Sequence, residues 1–254
     1  NNLTAFEGVL VYTLFKDQKK NLWAGTKKGL LKLQLSGVNL TATPVRFKES
    51  PDNDEWINRI TSITEDSEGY LWIGTIRGLI KYSPISGGYK IFYYHADFGN
   101  EGDTYILSLY FNNGILWAGT NSEGLLRINT SDMSHIRYST HSIVEPKLTG
   151  DKIMAIHEDK KGNLWIATMG GGVNVLDKDL NKIRTISISD GLANNTVYGI
   201  LEDKSGNIWV STNKGISRIN AETLKPANFS RSDGLLSGGY HQYSYLKGLD
   251  VSFY

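Results

Sequence analysis

Ile200-Leu-Glu-Asp-Lys-Ser-Gly-Asn-Ile-Trp-Val-Ser-Thr212 leads into Gly215-Ile-Ser-Arg-Ile219, and the phrase around its tryptophan occurs four more times upstream. The other copies are Asn21-Leu-Trp-Ala-Gly-Thr26, Tyr70-Leu-Trp-Ile-Gly-Thr75, Ile115-Leu-Trp-Ala-Gly-Thr120 and Asn163-Leu-Trp-Ile-Ala-Thr168. Their tryptophans, Trp23, Trp72, Trp117, Trp165 and Trp209, stand 49, 45, 48 and 44 residues apart. Self-similarity at a period of about 20–50 residues is the signature of solenoids, propellers and related arrays.

Each copy carries the same order of events. In the clearest one an apolar run, Val197-Tyr-Gly-Ile-Leu201, meets Glu202-Asp-Lys-Ser-Gly-Asn207, whose Asp and Gly suit a tight hairpin turn. The tryptophan run follows, Asn213-Lys-Gly215 turns the chain again into Ile216–Ile219, and Ala227-Asn-Phe-Ser230 supplies a fourth run. No helical periodicity is long enough to cross over between parallel strands, so the four runs predict an antiparallel meander. The fold class is therefore all-β, a β-propeller of four-stranded blades over about 8–50, 55–98, 103–140, 150–190 and 195–233, with a partial sixth over 240–254. Five units and a fragment fit either a five- to six-bladed ring that closes unusually or, the favoured reading, an open arc of a larger, seven-bladed ring.

The second strand explains why such units pack on one another. In Leu71-Trp-Ile73 successive side chains point to opposite faces, yet all three are large and apolar, as in a strand covered on both sides. The five repeat tryptophans are thus assigned to the blade core. The small residue that follows (Gly25, Gly74, Gly119, Ala167 or Ser211) leaves room for a neighbouring strand.

Composition narrows the functions. Lys and Arg number 27 against 26 Asp and Glu, with no basic run to track phosphates, so a direct nucleic-acid partner is not expected. The absence of cysteine excludes thiol chemistry and cysteine-based zinc sites. No apolar span is long enough to cross a membrane, and the chain, starting at Asn1-Asn-Leu, reads as a piece of something longer.

The residues with chemical potential mostly resolve into structure. His95, His135, His141, His157 and His241 are scattered without metal-site spacing. The pairs Glu65-Asp66, Glu158-Asp159 and Glu202-Asp203 recur at equivalent turns, whereas a catalytic carboxylate pair is needed once, flanking one bond. Gly170-Gly-Gly172 replaces a hairpin turn and lacks the strand-to-helix context of a phosphate loop. No catalytic residue, metal or cofactor is expected. A ligand should instead meet the face shared by the turn after each tryptophan strand and the segment leading into each blade, at residues that differ between copies. Those are Trp56, Asn58, Arg59, Arg77, Asn121, Glu123, Met169, Asn195, Asn213 and His241, with Lys28 and Asn194 beside them. Aromatic faces stack on sugar C–H surfaces while Asn, Arg and Glu bond hydroxyls, and Trp56 is the one tryptophan outside the repeat series.

With the repeats quoted above, and with Ile63-Thr-Glu-Asp-Ser-Glu-Gly-Tyr-Leu-Trp-Ile-Gly-Thr75 followed by Gly78-Leu-Ile-Lys-Tyr82, the chain resembles the two-component regulator propeller family along nearly its whole length. Asp190-Gly-Leu-Ala-Asn-Asn195, echoed by Asp233-Gly-Leu-Leu236, matches the phrase that leads into a blade in that family. The turn Asn112-Asn-Gly114, without an acidic pair, and Lys16-Asp-Gln-Lys-Lys20, without Gly, depart from the pattern. The resemblance implies the periplasmic sensor segment of a Bacteroides-type hybrid histidine kinase. Such a segment would respond to an oligosaccharide, control polysaccharide-utilisation genes, pair as a homodimer through the parent sensor and reach the membrane only through a downstream segment. Two other readings compete: a scaffold for dimerisation or protein contact without direct ligand binding, and a metal-dependent propeller lyase of the streptogramin-inactivating type.

Overall fold

The computed structural model describes residues 9–37, 39–48, 54–94, 104–235 and 239–240. They form five four-stranded sheets, each a meander of strands in sequence order, as propeller blades are. Blade one contains β1 (Val11–Lys16), β2 (Leu22–Thr26), β3 (Gly29–Ser36) and β4 (Asn39–Val45). A single helical turn, α1 (Asp54–Ile57), precedes blade two, made of β5 (Ile60–Glu65), β6 (Leu71–Thr75), β7 (Leu79–Tyr82) and β8 (Tyr89–Phe92). Blade three has β9 (Ile106–Asn112), β10 (Ile115–Thr120), β11 (Leu125–Asn129) and β12 (His135–Tyr138). Blade four has β13 (Ile153–Glu158), β14 (Leu164–Thr168), β15 (Val173–Leu176) and β16 (Ile183–Ile186), and blade five β17 (Val197–Glu202), β18 (Asn207–Thr212), β19 (Gly215–Asn220) and β20 (Pro226–Phe229). The sixth unit expected over 240–254 lies, beyond Tyr240, outside the described residues, as do His95 and His241.

The chain divides into two compact units, residues 1–118 with 128–134, and residues 119–127 with 135–254. In the first, Trp23 of blade one is buried against blade two, its ring edge-on to Tyr82 at 6.1 Å, in a core with Leu30, Phe47, Ile57, Ile60, Ile63, Leu71, Ile73 and Ile80. The predicted close approach is visible at Gly25 and Gly74. A Cβ on Gly25 would come within 2.7 Å of Ile60 Cγ2, and one on Gly74 within 2.6 Å of Ile106 Cγ2, so each glycine admits the first strand of the next blade. In the second unit every residue of β14 is buried, and β14 lies against β17.

The acidic turns prove to be clamps on the tryptophans. Asp17, Asp66, Asp159 and Asp203 each accept the indole N–H of the tryptophan six residues on, at 2.9, 2.9, 2.8 and 2.9 Å. The same carboxylates accept backbone N–H groups of the turn, as Asp66 does from Glu68 and Tyr70 and Asp159 from Lys161 and Asn163. A buried indole N–H needs an acceptor, and a turn needs its N–H groups satisfied; one side chain does both. The repeat threonine closes the second turn: Thr26, Thr75, Thr120, Thr168 and Thr212 each donate through Oγ1 to a carbonyl three or four residues on, at 2.8–3.0 Å.

One expectation needs correction. Trp23, Trp72, Trp117 and Trp165 are buried, but Trp209 of blade five is only half-buried, stacked on Phe229 at 5.5 Å and capped by the Arg218 guanidinium at 5.8 Å. The Trp23 arrangement shows the reason: the indole is covered by the following blade, and no described sheet follows blade five.

Candidate functional site

Two irregularities position the site. The first strands of blades one, two, four and five carry a register shift at the same place, between Val11 and Thr13, Ile60 and Ser62, Ile153 and Ala155, and Val197 and Gly199. A bulge there turns the residue leading into the strand away from the ladder and toward the rim. In blade two the residue within that bulge, Thr61, is buried with Oγ1 2.9 Å from the Gly74 carbonyl and 2.6 Å from the Ile106 carbonyl. It thereby ties the start of blade three to the second strand of blade two.

Around that tie lies an open cleft of about 460 Å³ lined by Trp56, Arg59, Ile76, Arg77 and Tyr105, all within the first compact unit. Trp56 sits on α1 and is 44% exposed. The Arg59 backbone N–H donates to the Trp56 carbonyl at 3.1 Å, and its guanidinium lies over the indole with the carbon 4.4 Å from the ring centre. Arg59 Nη2 meets Glu55 Oε1 at 3.2 Å, while its buried Nε–H has no hydrogen-bond acceptor among the described residues. Arg77 is presented by the tight turn after β6: Thr75 Oγ1 accepts the N–H groups of Arg77 and Gly78 at 3.1 and 2.9 Å. Tyr105 stands immediately before β9, the position Arg59 holds before β5, so equivalent residues of adjacent blades supply two walls of one cleft.

Three of the residues predicted from sequence, Trp56, Arg59 and Arg77, therefore come together. Asn58 is next to them but faces inward. It is buried, and its amide accepts the Phe47 N–H at 2.9 Å and donates to the Phe47 carbonyl at 2.7 Å. Phe47 in turn packs edge-on to Tyr82 and Tyr89, so Asn58 anchors the segment that carries Trp56 rather than lining the cleft. Asn121, Glu123, Met169, Asn195 and Asn213 fall in the second unit. Glu123 is paired with Arg137 at 2.6 Å. Asn195 accepts the Ile188 N–H through its side chain and the Gly170 and Gly172 N–H groups through its carbonyl. Asn213 accepts the Tyr198 hydroxyl at 2.8 Å, Met169 is exposed and bridged to Thr196, and Asn121 is half-buried. His157 lies 3.5 Å from Glu202, His135 and His141 are exposed, and among the described residues no three His, Asp or Glu side chains converge as a metal set would. Tyr105 was missed by sequence reasoning; the aligned lead-in positions Arg59, Tyr105, Lys152 and Thr196, which differ from blade to blade, carried the signal.

The chain carries two-component regulator propeller repeats: the model of that family, described as two component regulator propeller, matches residues 51–77, 147–170 and 191–214. It is 26% identical to histidine kinase P4 of Formosa agariphila, over 58% of this chain and 14% of that protein. Among solved structures it is similar to the extracellular domain of BT4673, described as a hybrid two component system, from B. thetaiotaomicron, with a TM-score of 0.72, 21% identity, 87% of this chain and 31% of that chain covered. It is also similar to virginiamycin B lyase from Staphylococcus aureus, with a TM-score of 0.62, 17% identity, 87% of this chain and 69% of that chain covered. These likenesses establish the propeller-blade fold, and the three matched stretches fall in blades two, four and five, or lead into them; the chain spans only a small part of the histidine kinase it resembles.

Proposed function

We propose that the segment is the extracytoplasmic, periplasmic recognition part of a hybrid two-component receptor that responds to glycan fragments and controls polysaccharide-utilisation genes, and that the cleft of Trp56, Arg59, Arg77 and Tyr105 is where the glycan is met. The observation that carries this reading is that the cleft gathers residues that vary between copies, while the repeated aspartate, tryptophan and threonine of blade two are taken up by blade structure. Its composition suits a saccharide: an exposed indole and a tyrosine offer flat surfaces, and two guanidinium groups offer hydrogen-bond donors. The regulator-propeller repeats and the likeness to the extracellular domain of a hybrid system support the receptor context. No chemistry is asked of the segment itself.

Calorimetry of the chain against a panel of oligosaccharides tests the reading. Saturable heat that is lost in Trp56→Ala is the expected result; silence across the panel, or binding indifferent to Trp56 and Arg77, would refute it. In the receptor carrying this segment, the same substitution should abolish glycan-induced transcription. A second reading, a scaffold that pairs with another protein, has one observation in its favour: Leu14, Leu22 and Leu35 of blade one are exposed. Sedimentation that reports self-association weakened by Leu14→Asp would favour it.

A further inference from the structure

Blade one presents to solvent the sheet face that blade two keeps covered. In blade two, Ile63, Leu71, Ile80 and Tyr82 share the face that receives Trp23 of blade one, and all four are buried, Leu71 completely. The strand registers put Leu14, Leu22, Leu31 and Leu33 at the same places in blade one, and Leu35 continues the row along β3. Yet Leu14 is 64% exposed, Leu22 38% and Leu35 66%. Scattered surface leucines need no explanation, but a contiguous row laid out as the seat of an indole marks an interaction surface.

Charge narrows what can sit there. The last residue of the first strand is Glu65 in blade two and Glu202 in blade five, and each takes a donor from the turn of the blade before it. Glu65 accepts the Gln18 N–H at 2.7 Å, and Glu202 lies 3.8 Å from the Lys160 ammonium. Gln18 and Lys160 each stand directly after a clamp aspartate. In blade one the same place is held by Lys16, which is exposed and paired across the strands with Leu22. An ammonium only donates, so the residue that meets it must accept. We propose that the leucine face of blade one seats a tryptophan-bearing blade of the same receptor, from outside these 254 residues, whose clamp aspartate is followed by Asp or Glu. A second copy of this chain does not fit: its clamp aspartates are followed by Gln18, Ser67, Lys160 and Lys204, and its blade five would bring Lys204 to Lys16, like charge against like. A longer receptor has the chain to supply such a blade, since the likeness covers only 31% of the BT4673 extracellular domain. The leucines give the contact its strength, and the Lys16 pair selects which blade docks. This surface is separate from the glycan cleft and rests only on the receptor context proposed above.

The test is carbodiimide coupling, which joins a lysine amine directly to a carboxylate in contact with it, applied to the receptor carrying this segment as a mixture of isotope-labelled and unlabelled molecules. Mass spectrometry should find Lys16 joined, within one molecule, to an Asp or Glu that directly follows an aspartate standing six residues before a tryptophan, in a segment outside this chain. Lys16→Arg, which keeps the charge but offers no amine, should lose that product. Leu14→Asp should leave the melting temperature of the isolated 254-residue chain level and lower that of the receptor by at least about 2 °C. Coupling of Lys16 to a second copy, to another carboxylate of this chain or to nothing overturns the proposal, as does a Leu14→Asp receptor that melts with its parent. None of these outcomes touches glycan binding at the cleft, whereas a parent protein without further tryptophan blades would fell the receptor reading as well.

Discussion

Replacing Asp66 by Ala should cost about 2–6 kcal/mol of stability, more than a surface turn residue ordinarily commands. Asp66 is 3% exposed, and its Oδ2 accepts the Trp72 indole N–H at 2.9 Å while its Oδ1 accepts the Glu68 and Tyr70 N–H groups at 3.0 Å each. Trp72 has no exposed surface, so the orphaned indole donor cannot turn to water and costs about 1–3 kcal/mol. The two turn N–H groups lie in half-buried or exposed residues and lose about 0.5–1.5 kcal/mol each. Lys81, 3.6 Å from the same carboxylate, loses its ion partner but keeps its place over the Tyr70 ring at 4.3 Å. The assay is urea unfolding followed by both fluorescence and far-ultraviolet circular dichroism, because a repeat array can unfold in stages that a single probe would hide. In a Trp72→Phe background, where no indole N–H exists, the cost of Asp66→Ala should fall by about 1–3 kcal/mol, the share assigned to that donor. A variant within about 1 kcal/mol of the parent, or an equal cost in both backgrounds, would refute the clamp.

Acid should weaken the fold by the same route. Burial pushes the carboxyls of Asp17, Asp159 and Asp203 up, but hydrogen bonds from the partner tryptophan, the turn asparagine and backbone N–H groups outweigh it and hold each below the usual carboxylate range. A depressed folded value means that the stabilisation is complete above the unfolded value of about 3.9 and is lost as pH falls through it toward the folded value. The urea midpoint should therefore be level above about pH 5 and drop toward pH 3; a midpoint that rises over that interval contradicts the sign. Gly215→Ala should cost about 2 kcal/mol or more, since φ is +103° and the new Cβ would press on the Phe229 carbonyl, whereas Gly114→Ala, with φ +77° and open space, should cost about 1 kcal/mol. Equal melting temperatures for the two variants would contradict this. Thr61→Val should weaken glycan binding measured by calorimetry without touching the ligand, because it cuts the tie to the Gly74 and Ile106 carbonyls, the latter next to Tyr105 in the chain.

The blades were legible because periodicity and alternation are local properties. Leu71-Trp-Ile73 announces a strand covered on both faces, and Gly74 announces the neighbour that covers it. The rim was half-legible. Trp56, Arg59 and Arg77 stood out by failing to repeat, and they do converge. Asn58 also failed to repeat, but its inward turn onto Phe47 depends on where the chain between blades folds back, which no spacing in the sequence encodes. Tyr105 went unseen because Tyr can be core or rim with equal ease, and its place in the cleft follows from how blade three packs on blade two, where Thr61 bonds the Ile106 carbonyl. Trp209 looked identical to its four counterparts; its partial exposure reflects a neighbour rather than its own phrase.

The account holds that repeated residues build the blades and that non-repeating rim residues of blades two and three meet the ligand. Hydrogen exchange read by mass spectrometry, with and without a glycan that calorimetry shows to bind, tests this most directly. Protection is expected in peptides spanning residues 54–60, 76–78 and 104–106, with the five tryptophan strands unchanged. Protection confined to other segments, or spread evenly over the repeats, would contradict it.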